Sequence, residues 1–343
     1  MKASVIIPVY NGSRTIARCL DALTAQSVPR SEYEIIVVND ASSDDTARIV
    51  SRFPVRVLTQ PHRGPAAARN FGVREAKGDL VLFTDADTEP TPNWIETMLA
   101  PFENRDIAGA KGTYRTRQRE WIARFVQVEY EEKYARMARA KKVDVVDTYS
   151  AAYRREVALF DGGFDESFPS ASAEDAEFSF RLARQGYRFV FLPNAIVYHQ
   201  HAASLAAYGR RKFKIGYWRI RVHKRHPGKL VSDAHTPPTE KLQVLLTPFL
   251  LGSALASLFL TGSFVVFCGM VALFGLTMVP LTWRVLCRDP VVGLVSPLFI
   301  TYRALALSLG GVLGLASELV HNSLLERLIV SMYRRSKSYL SPG

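Results

Sequence analysis

Two aspartates one residue apart follow an apolar run that has the composition of a buried strand. The run covers residues 80–84 and reads Leu-Val-Leu-Phe-Thr, and Asp85 and Asp87 come directly after it. At the carboxyl end of a strand in an open α/β sheet, such a pair lies where ligands bind, and hard carboxylate oxygens favour Mg²⁺ or Mn²⁺ bridging phosphates. Taken alone, the pair fits an Asx turn or a helix cap before Pro92 equally well.

Three other segments of the first 75 residues end in side chains that suit a nucleotide diphosphate. Residues 5–12 indicate a strand that runs into a turn, whose backbone could approach a nucleobase. Asp40 ends the second predicted strand, where a carboxylate can accept from a base N–H or a ribose hydroxyl. Arg69 lies in a helix that opens with small residues, and it either pairs with a phosphate or locks Asp85 in an ion pair.

The elements that must position these side chains alternate between strand and helix along the first hundred residues. This alternation predicts an α/β fold with a mostly parallel, doubly wound sheet and helices on both faces. Strands are predicted at residues 4–9, 34–38, 55–58 and 80–83, and helices at residues 15–25, 46–53, 65–76 and 92–102. After residue 107 the predicted elements are strands at 107–114, 143–148, 188–192 and 195–199, and a long charged helix at 120–140.

Charge and hydropathy change after residue 204. Nine Lys and Arg residues lie within residues 210–229, and residues 205–241 are predicted to be a basic amphipathic region whose helix lies in the lipid headgroups. Residues 242–283 carry no charge over a length twice the ~20 residues that cross a bilayer, which predicts a transmembrane hairpin with spans at 243–261 and 264–283. The third apolar segment, residues 291–317, carries Arg303 and is expected to be interfacial or re-entrant.

The net charge of +12 fits either nucleic acid or an anionic membrane surface. Because the basic residues adjoin the apolar stretch, membrane lipids are the predicted partner and nucleic acid is not. Three scattered cysteines are too few for a disulfide framework, and the apolar residues 5–9 are too short for a signal sequence. The catalytic domain, residues 1–204, is therefore expected in the cytosol, anchored to the inner (plasma) membrane; the oligomeric state stays open.

Together the four segments resemble the inverting family 2 glycosyltransferases with the GT-A fold, over roughly residues 3–201. The resemblance implies a nucleotide-diphosphate sugar donor, usually UDP-linked, and Mn²⁺ or Mg²⁺ as cofactor. It implies that Asp40 binds the base, that Asp85 lies near the ribose and the metal, and that Asp87 ligates the metal. His199 is either a further ligand or a structural histidine. The nucleotide-sugar-binding residues implied in this way are Pro8, Tyr10, Asn11, Asp40, Arg69 and Asp85.

Inverting transfer to a hydroxyl needs a base, and the pair Glu174 and Asp175 precedes an amphipathic stretch at residues 176–184. The resemblance implies that Asp175 is the catalytic base and that Glu174 supports it. The structural alternative is a negatively charged helix N-terminus, which the helix dipole favours. Gly163 and Phe164 lie in a segment that resembles the family's loop on the acceptor side, where a plain turn also fits.

No Gln-x-x-Arg-Trp motif follows Asp175, so chain polymerisation is not expected. The apolar tail resembles membrane-anchored enzymes of the hexosyltransferase type, which add one sugar to a polyprenyl-linked saccharide or to polyprenyl phosphate. A phosphate acceptor is already an anion and needs no base. The remaining alternative is a non-catalytic nucleotide-sugar-binding membrane scaffold, which would have no need of Asp40, Asp85, Asp87 and Asp175 together.

Overall fold

The computed structural model describes residues 1–168, 173–231 and 233–320. The strands in this part of the chain are β1 (Ala3–Val9), β2 (Tyr33–Asn39), β3 (Arg56–Thr59), β4 (Leu80–Thr84), β5 (Thr88–Pro90), β6 (Ile107–Arg115), β7 (Ser150–Arg154) and β8 (Arg188–His199). They form one mixed sheet in the order β3-β2-β1-β4-β7-β6-β8-β5. The α/β architecture predicted from the alternation of patterns is confirmed.

The half of the sheet that carries the aspartate pair is parallel. Strand β1 pairs in parallel with β2 and β4, and β2 pairs in parallel with β3. Both faces of these strands are buried, since Val5 and Ile7 pack on one side of the sheet and Ile6 packs on the other. This double burial accounts for the continuous apolar runs that identified the strands.

The other half of the sheet is mixed. Strand β7 is antiparallel to both β4 and β6, and β5 is antiparallel to β8, whereas β6 and β8 are parallel. The strand predicted at residues 143–148 is wrong, because only an isolated bridge from Val143 to Phe189 occurs there. The backbone N–H of Val146 donates instead to the Ser179 hydroxyl, 3.0 Å away, so the ladder starts only at Ser150. The two strands predicted at 188–199 form the single strand β8.

Helices cover both faces of the sheet. They are α1 (Ile16–Thr24), α2 (Thr46–Val50), α3 (Pro65–Glu75), α4 (Trp94–Leu99), α5 (Trp121–Arg139), α6 (Arg155–Ala158), α7 (Glu174–Arg184), α8 (Leu205–Arg225), α9 (Gly228–Val231), α10 (Pro238–Ala256), α11 (Ser263–Arg288) and α12 (Pro290–Val320). Buried side chains of α1 and α4 belong to one core cluster, and those of α3 and α7 belong to the cluster on the opposite face.

The last two helices have the length and composition of membrane spans. Ser263–Arg288 and Pro290–Leu319 are 26 and 30 residues long and apolar enough to cross a bilayer. The span predicted at residues 264–283 lies within the first of these helices, whereas the span predicted at 243–261 falls on α10, which is not among the candidate spans found in the described residues. The break between them begins after Ala256 and ends at Gly262, which has φ of 86° just before α11. The third apolar segment is one continuous helix; its interfacial or re-entrant placement, like the domain boundaries at residues 204 and 241, stays a prediction.

Helix α8 is enclosed by protein on its apolar side. Tyr208 packs with Phe125 of α5, and Trp218 packs with Phe168. Tyr208, Trp218 and Val222 are all buried, so the apolar face that the sequence assigned to the lipid headgroups packs on protein instead. The pattern of an amphipathic helix is the same whether its apolar face meets lipid or protein, and the placement of the basic region at the membrane surface stays a prediction.

Helix α12 packs along α8 with the two backbones in close contact. A Cβ atom on Gly209 would meet the Tyr302 ring near the start of the contact, and one on Gly314 would meet the Tyr217 carbonyl further along both chains. The two helices therefore run in parallel, in a contact that small residues make possible.

Replacing Gly310 by Val should separate α8 from α12, since a Cβ atom there would lie 2.0 Å from the Phe213 carbonyl oxygen. We expect the apparent Tm of the purified chain in detergent to fall, because overpacking costs ~1–3 kcal/mol. The matched control is Gly269→Val in α11, where an added Cβ atom has open space. Equal Tm values for the two variants would contradict the packing described here.

A buried ion network joins α12 to the catalytic domain. Arg303 of α12 is 2% exposed, and its Nη1 lies 2.6 Å from Oε1 of Glu129 in α5 and 3.3 Å from Oε2 of Glu240 in α10. Its Nη2 donates to Oε1 of Gln243, 2.6 Å away. The charge near the centre of the third apolar segment is thus neutralised by protein carboxylates.

Candidate active site

The pairing of β5 with β8 brings the second aspartate to a histidine. Thr88 pairs with His199, the last residue of β8, and Oδ2 of Asp87 lies 3.5 Å from Nε2 of that histidine. Burial in the cleft raises the pKa of Asp87, but the nearby His199 outweighs this effect and the pKa falls to about 2. An ionised, half-exposed carboxylate therefore faces an imidazole nitrogen.

Asp85 is directed toward other partners. Its Oδ1 lies 3.4 Å from Nη2 of Arg69, and its Oδ2 accepts from the Tyr114 hydroxyl at 3.4 Å. Burial raises the pKa of Asp85 although Arg69 opposes the shift. The Tyr114 ring also stacks on His199 with 4.4 Å between centroids, so this tyrosine connects the two halves of the pair.

Arg69 bridges the strand end to the start of α7. It is 3% exposed, and its Nη1 donates to Oε1 of Glu174 at 2.8 Å while Nη2 faces Asp85. Of the two interpretations that the sequence left open, the structure supports the ion pair that locks Asp85. The predicted contact of Arg69 with the nucleotide sugar stays a prediction, since its Nη1 and Nη2 face two carboxylates.

Asp175 follows Glu174 in the first turn of α7 and is partly exposed. Its Oδ1 accepts from the Ala176 N–H at 2.8 Å, and no side-chain donor among the described residues reaches the carboxylate. Burial and the neighbouring Glu174 raise the pKa of Asp175 to about 6, against the attraction of Arg69. The result is a carboxylate that is ionised at neutral pH and basic enough to accept a proton.

Asp40 organises the loop before α3. Its Oδ1 accepts from the Gln60 amide at 2.7 Å and from the Arg63 N–H at 2.8 Å. Its Oδ2 accepts from the Gly64 N–H at 2.9 Å and lies 2.8 Å from Nδ1 of His62. Both oxygens are thus fully used within the protein. One of the four donors would have to leave for the direct bond to a nucleobase that the resemblance implied, and this role of Asp40 stays a prediction.

The other residues predicted at the base end lie around this loop. Tyr10 stacks on His62 with 4.2 Å between centroids, which makes an aromatic pair next to Asp40. Asn11 has φ of 51°, and its Oδ1 accepts from the Ser43 N–H at 2.8 Å, so this side chain ties two loops together. Pro8 lies within β1, half-buried. Tyr10 is the member of this set best placed to contact a ligand.

The predicted acceptor-side residues lie in a turn that is held by hydrogen bonds to the Asn70 side chain. Asn70 accepts from the Phe164 N–H and donates to the Phe164 carbonyl, both at 2.8 Å, and Gly163 has φ of 79°. The Phe164 ring is buried against Phe83 and Phe178, so its role is to pack the core. The turn lines a polar cavity of about 420 Å³ that does not include the aspartate pair or Asp175.

Sequence reasoning missed four residues of the site: His62, Tyr114, Gln127 and His201. His201 follows His199 by two positions, and this His-x-His spacing was the available signal. Burial lowers the pKa of His201 to about 2, and the neighbouring His199 adds to the shift, so the ring is neutral. Gln127 lies on α5, far from the others in sequence, and no pattern identifies it.

A divalent cation would be held by the pair of Asp87 and His199. Within the described part of the chain no group of three His, Cys, Asp or Glu side chains gathers at one point. Asp87 Oδ2 and His199 Nε2 nevertheless face each other, whereas Asp85 forms an ion pair with Arg69. A carboxylate oxygen with an imidazole nitrogen fits Mn²⁺ well, and Mg²⁺ when phosphate and water complete the shell.

Comparison with known proteins indicates the class of this domain. Residues 4–160, a little under half of the chain, match the family model described as Glycosyl transferase family 2. This part of the chain is similar to family 2 glycosyltransferases, and the sheet around it has the GT-A fold.

Two curated relatives and one solved structure extend the comparison. "Probable glycosyltransferase YdaM" of Bacillus subtilis (strain 168) is 31% identical over 227 residues, which cover 62% of this chain and 53% of the relative, so the chain spans about half of that protein. "Glycosyltransferase AglE" of Haloferax volcanii is 28% identical over 231 residues, 64% of this chain and 73% of the relative.

The solved structure is the mannosyltransferase PcManGT from Pyrobaculum calidifontis in complex with GDP-Man and Mn²⁺. It superposes with a TM-score of 0.63 at 19% identity, over 91% of this chain and 87% of that one. At this identity the likeness shows a common fold.

Proposed function

We propose that this chain is an inverting, metal-dependent glycosyltransferase. It moves one sugar from a nucleotide-diphosphate sugar, which we expect to be a UDP-sugar, to a lipid-linked saccharide at the cytosolic face of the membrane. One observation carries the proposal. Asp175 is a partly exposed carboxylate with a raised pKa, next to the Arg69 and Glu174 ion pair. A carboxylate of this kind suits removal of a proton from a hydroxyl.

On the donor side, Asp87 and His199 would hold the divalent cation. The cation supplies Lewis-acid stabilisation of the diphosphate leaving group. The PcManGT complex with GDP-Man and Mn²⁺ supports this assignment by analogy. Tyr10 and His62 offer an aromatic pair on which a nucleobase can stack.

On the acceptor side, Asp175 takes the hydroxyl proton while the acceptor oxygen attacks the anomeric carbon. A new bond forms between that carbon and the acceptor oxygen, and the bond from the carbon to the phosphate oxygen breaks on the opposite face. The nucleoside diphosphate leaves with the bonding electrons. Arg69 and Glu174 hold Asp175 in place, because the buried ion pair fixes the first turn of α7.

Exposed apolar surface supports a lipid-linked acceptor. Large apolar side chains are exposed along α10, α11 and α12, among them Leu245, Leu255, Val265, Leu294 and Leu319. An apolar surface of this extent on a soluble protein would promote association, whereas in a bilayer it meets lipid. The basic residues of α8 lie next to this surface, on the side that the positive-inside rule assigns to the cytosol.

The decisive experiment is a transfer assay with the full chain in lipid nanodiscs and Mn²⁺. UDP-sugars and GDP-mannose are offered as donors, with a polyprenyl diphosphate saccharide or polyprenyl phosphate as acceptor. The proposal predicts a product of inverted anomeric configuration on the saccharide acceptor. Transfer to polyprenyl phosphate alone would replace the proposal with its phosphate-acceptor alternative, and the lack of any transfer or donor hydrolysis would favour a scaffold.

The rate should also depend on pH through Asp175. Below its pKa of about 6 the carboxyl is protonated and cannot accept the hydroxyl proton. We therefore expect kcat/KM on a saccharide acceptor to fall about tenfold per pH unit below that value and to level off above pH 7. A flat profile between pH 5 and 7 would contradict the role of Asp175 as base.

A further inference from the structure

A chain of hydrogen bonds leads from α5 to the imidazole that faces Asp87. Gln127 Oε1 lies 3.1 Å from Nε2 of His201, and Nδ1 of His201 lies 3.4 Å from Nδ1 of His199. The far nitrogen of His199, Nε2, faces Asp87. Each link has a donor and an acceptor, so the direction of one link sets the direction of the next.

The amide orientation of Gln127 sets the direction of the whole chain. Its Nε2 donates to the Tyr114 carbonyl at 3.3 Å and to Oε1 of Glu131 at 3.4 Å, both of which can only accept. The Oε1 atom is therefore the one that faces His201, and the proton of that link belongs to Nε2 of His201.

The His201 ring is held in a single position. Its backbone N–H donates to Oε1 of Gln118, whose amide donates back to the His201 carbonyl at 3.1 Å. The ring stacks on Tyr130 with an interplanar angle of 8°. Since its Nε2 proton is donated to Gln127, the His201 tautomer that these contacts define carries its lone pair on Nδ1.

We propose that His201 and Gln127 are positioning residues that fix the tautomer of His199, so that its Nε2 presents a lone pair to a divalent cation shared with Asp87. A His201 ring with its proton on Nε2 and its lone pair on Nδ1 accepts at Nδ1, so His199 donates from Nδ1. Nε2 of His199 and Oδ2 of Asp87, 3.5 Å apart, then face each other as the two atoms available to the cation. This inference rests on the proposed function in one respect, namely that His199 binds the metal.

The test measures metal binding without sugar transfer. The affinity of the full chain for Mn²⁺ is measured in detergent, with and without UDP, from the electron paramagnetic resonance signal of free Mn²⁺. Modulation of the electron spin echo of bound Mn²⁺ by a coordinated nitrogen nucleus shows whether an imidazole is a ligand. We expect His201→Leu and Gln127→Leu to weaken Mn²⁺ binding by about 10–100-fold, as losses of such outer partners do. His201→Asn should restore most of the affinity, since its Oδ1 can accept from His199 at the same place.

Three outcomes overturn the inference. The first is Mn²⁺ affinity within twofold of the parent in both leucine variants. The second is nitrogen modulation that persists in His199→Leu. The third is a loss of affinity in His201→Leu that follows a fall in Tm and is not restored by His201→Asn. A parent chain that binds no Mn²⁺ overturns the inference and the metal dependence together, whereas a parent that binds Mn²⁺ but transfers no sugar overturns only the proposed function.

Discussion

Replacing Asp175 by Asn should lower kcat on a saccharide acceptor by about 10²–10⁴-fold, the usual contribution of a positioned base. The substitution keeps the shape of the side chain and the contact to the Ala176 N–H, but an amide cannot take the hydroxyl proton. Because Asp175 does not contact the predicted metal ligands, Mn²⁺ affinity and the KM for the donor should change little. Steady-state kinetics of the full chain in nanodiscs measure both quantities.

Asp21→Asn is the matched control for this variant, since Asp21 is an exposed carboxylate on α1. Its rates should equal those of the parent. A near-normal rate of Asp175→Asn on the saccharide acceptor would remove Asp175 from the role of base. Retention of activity on polyprenyl phosphate alone would instead identify the anionic acceptor as the natural one.

Replacing Arg303 by Met should be the most destabilising change outside the catalytic site. It would remove the cation that bridges the buried Glu129 and Glu240, and breaking a buried pair in this way costs about 3–5 kcal/mol. Glu129 would keep Lys212 at 3.1 Å, and Glu240 would keep only the more distant Arg219 at 3.8 Å. We expect the apparent Tm in detergent to fall by roughly 5–15 °C. Differential scanning fluorimetry of the purified chain measures the shift.

Arg288→Met provides the comparison, because Arg288 is 63% exposed and its pair with Glu131 is worth less than about 1 kcal/mol. Combining Arg303→Met with Glu240→Gln should recover part of the loss, since Glu240 is the carboxylate whose remaining cation, Arg219, is the more distant one. A Tm of Arg303→Met equal to that of Arg288→Met would show that α12 is not attached through this network.

The parallel half of the sheet could be predicted from sequence because its strands are buried on both faces and leave uninterrupted apolar runs. The same logic failed at residues 143–148, where apolar residues alternate with Asp144 and Asp147. There a hydrogen bond from the Val146 backbone N–H to the Ser179 hydroxyl and the ion pair between Lys111 and Asp147 replace the ladder. Both partners come from distant parts of the chain, and no local pattern encodes them.

The site was predictable to a similar degree. The spacing of Asp85 and Asp87 and the pair at 174–175 located the chemistry, since short motifs report which strand and helix ends meet. The motifs did not predict which partner each side chain faces. Asp85 faces Arg69, and Asp87 faces His199. Gln127 could not be found from sequence, because its contact with His201 joins side chains 74 positions apart and no motif surrounds it.

Both oxygens of the Asp40 carboxylate already accept two hydrogen bonds each, and this affects which nucleotide-sugar donors the protein accepts. A nucleobase that bonds to Asp40 must displace Gln60, His62 or a backbone N–H, and such an exchange of one hydrogen bond for another changes the free energy by only about 1 kcal/mol. Recognition of the base through Asp40 is then close to neutral in energy. Discrimination between uracil and guanine would rest on stacking against Tyr10 and His62, and the diphosphate and sugar would supply most of the donor affinity.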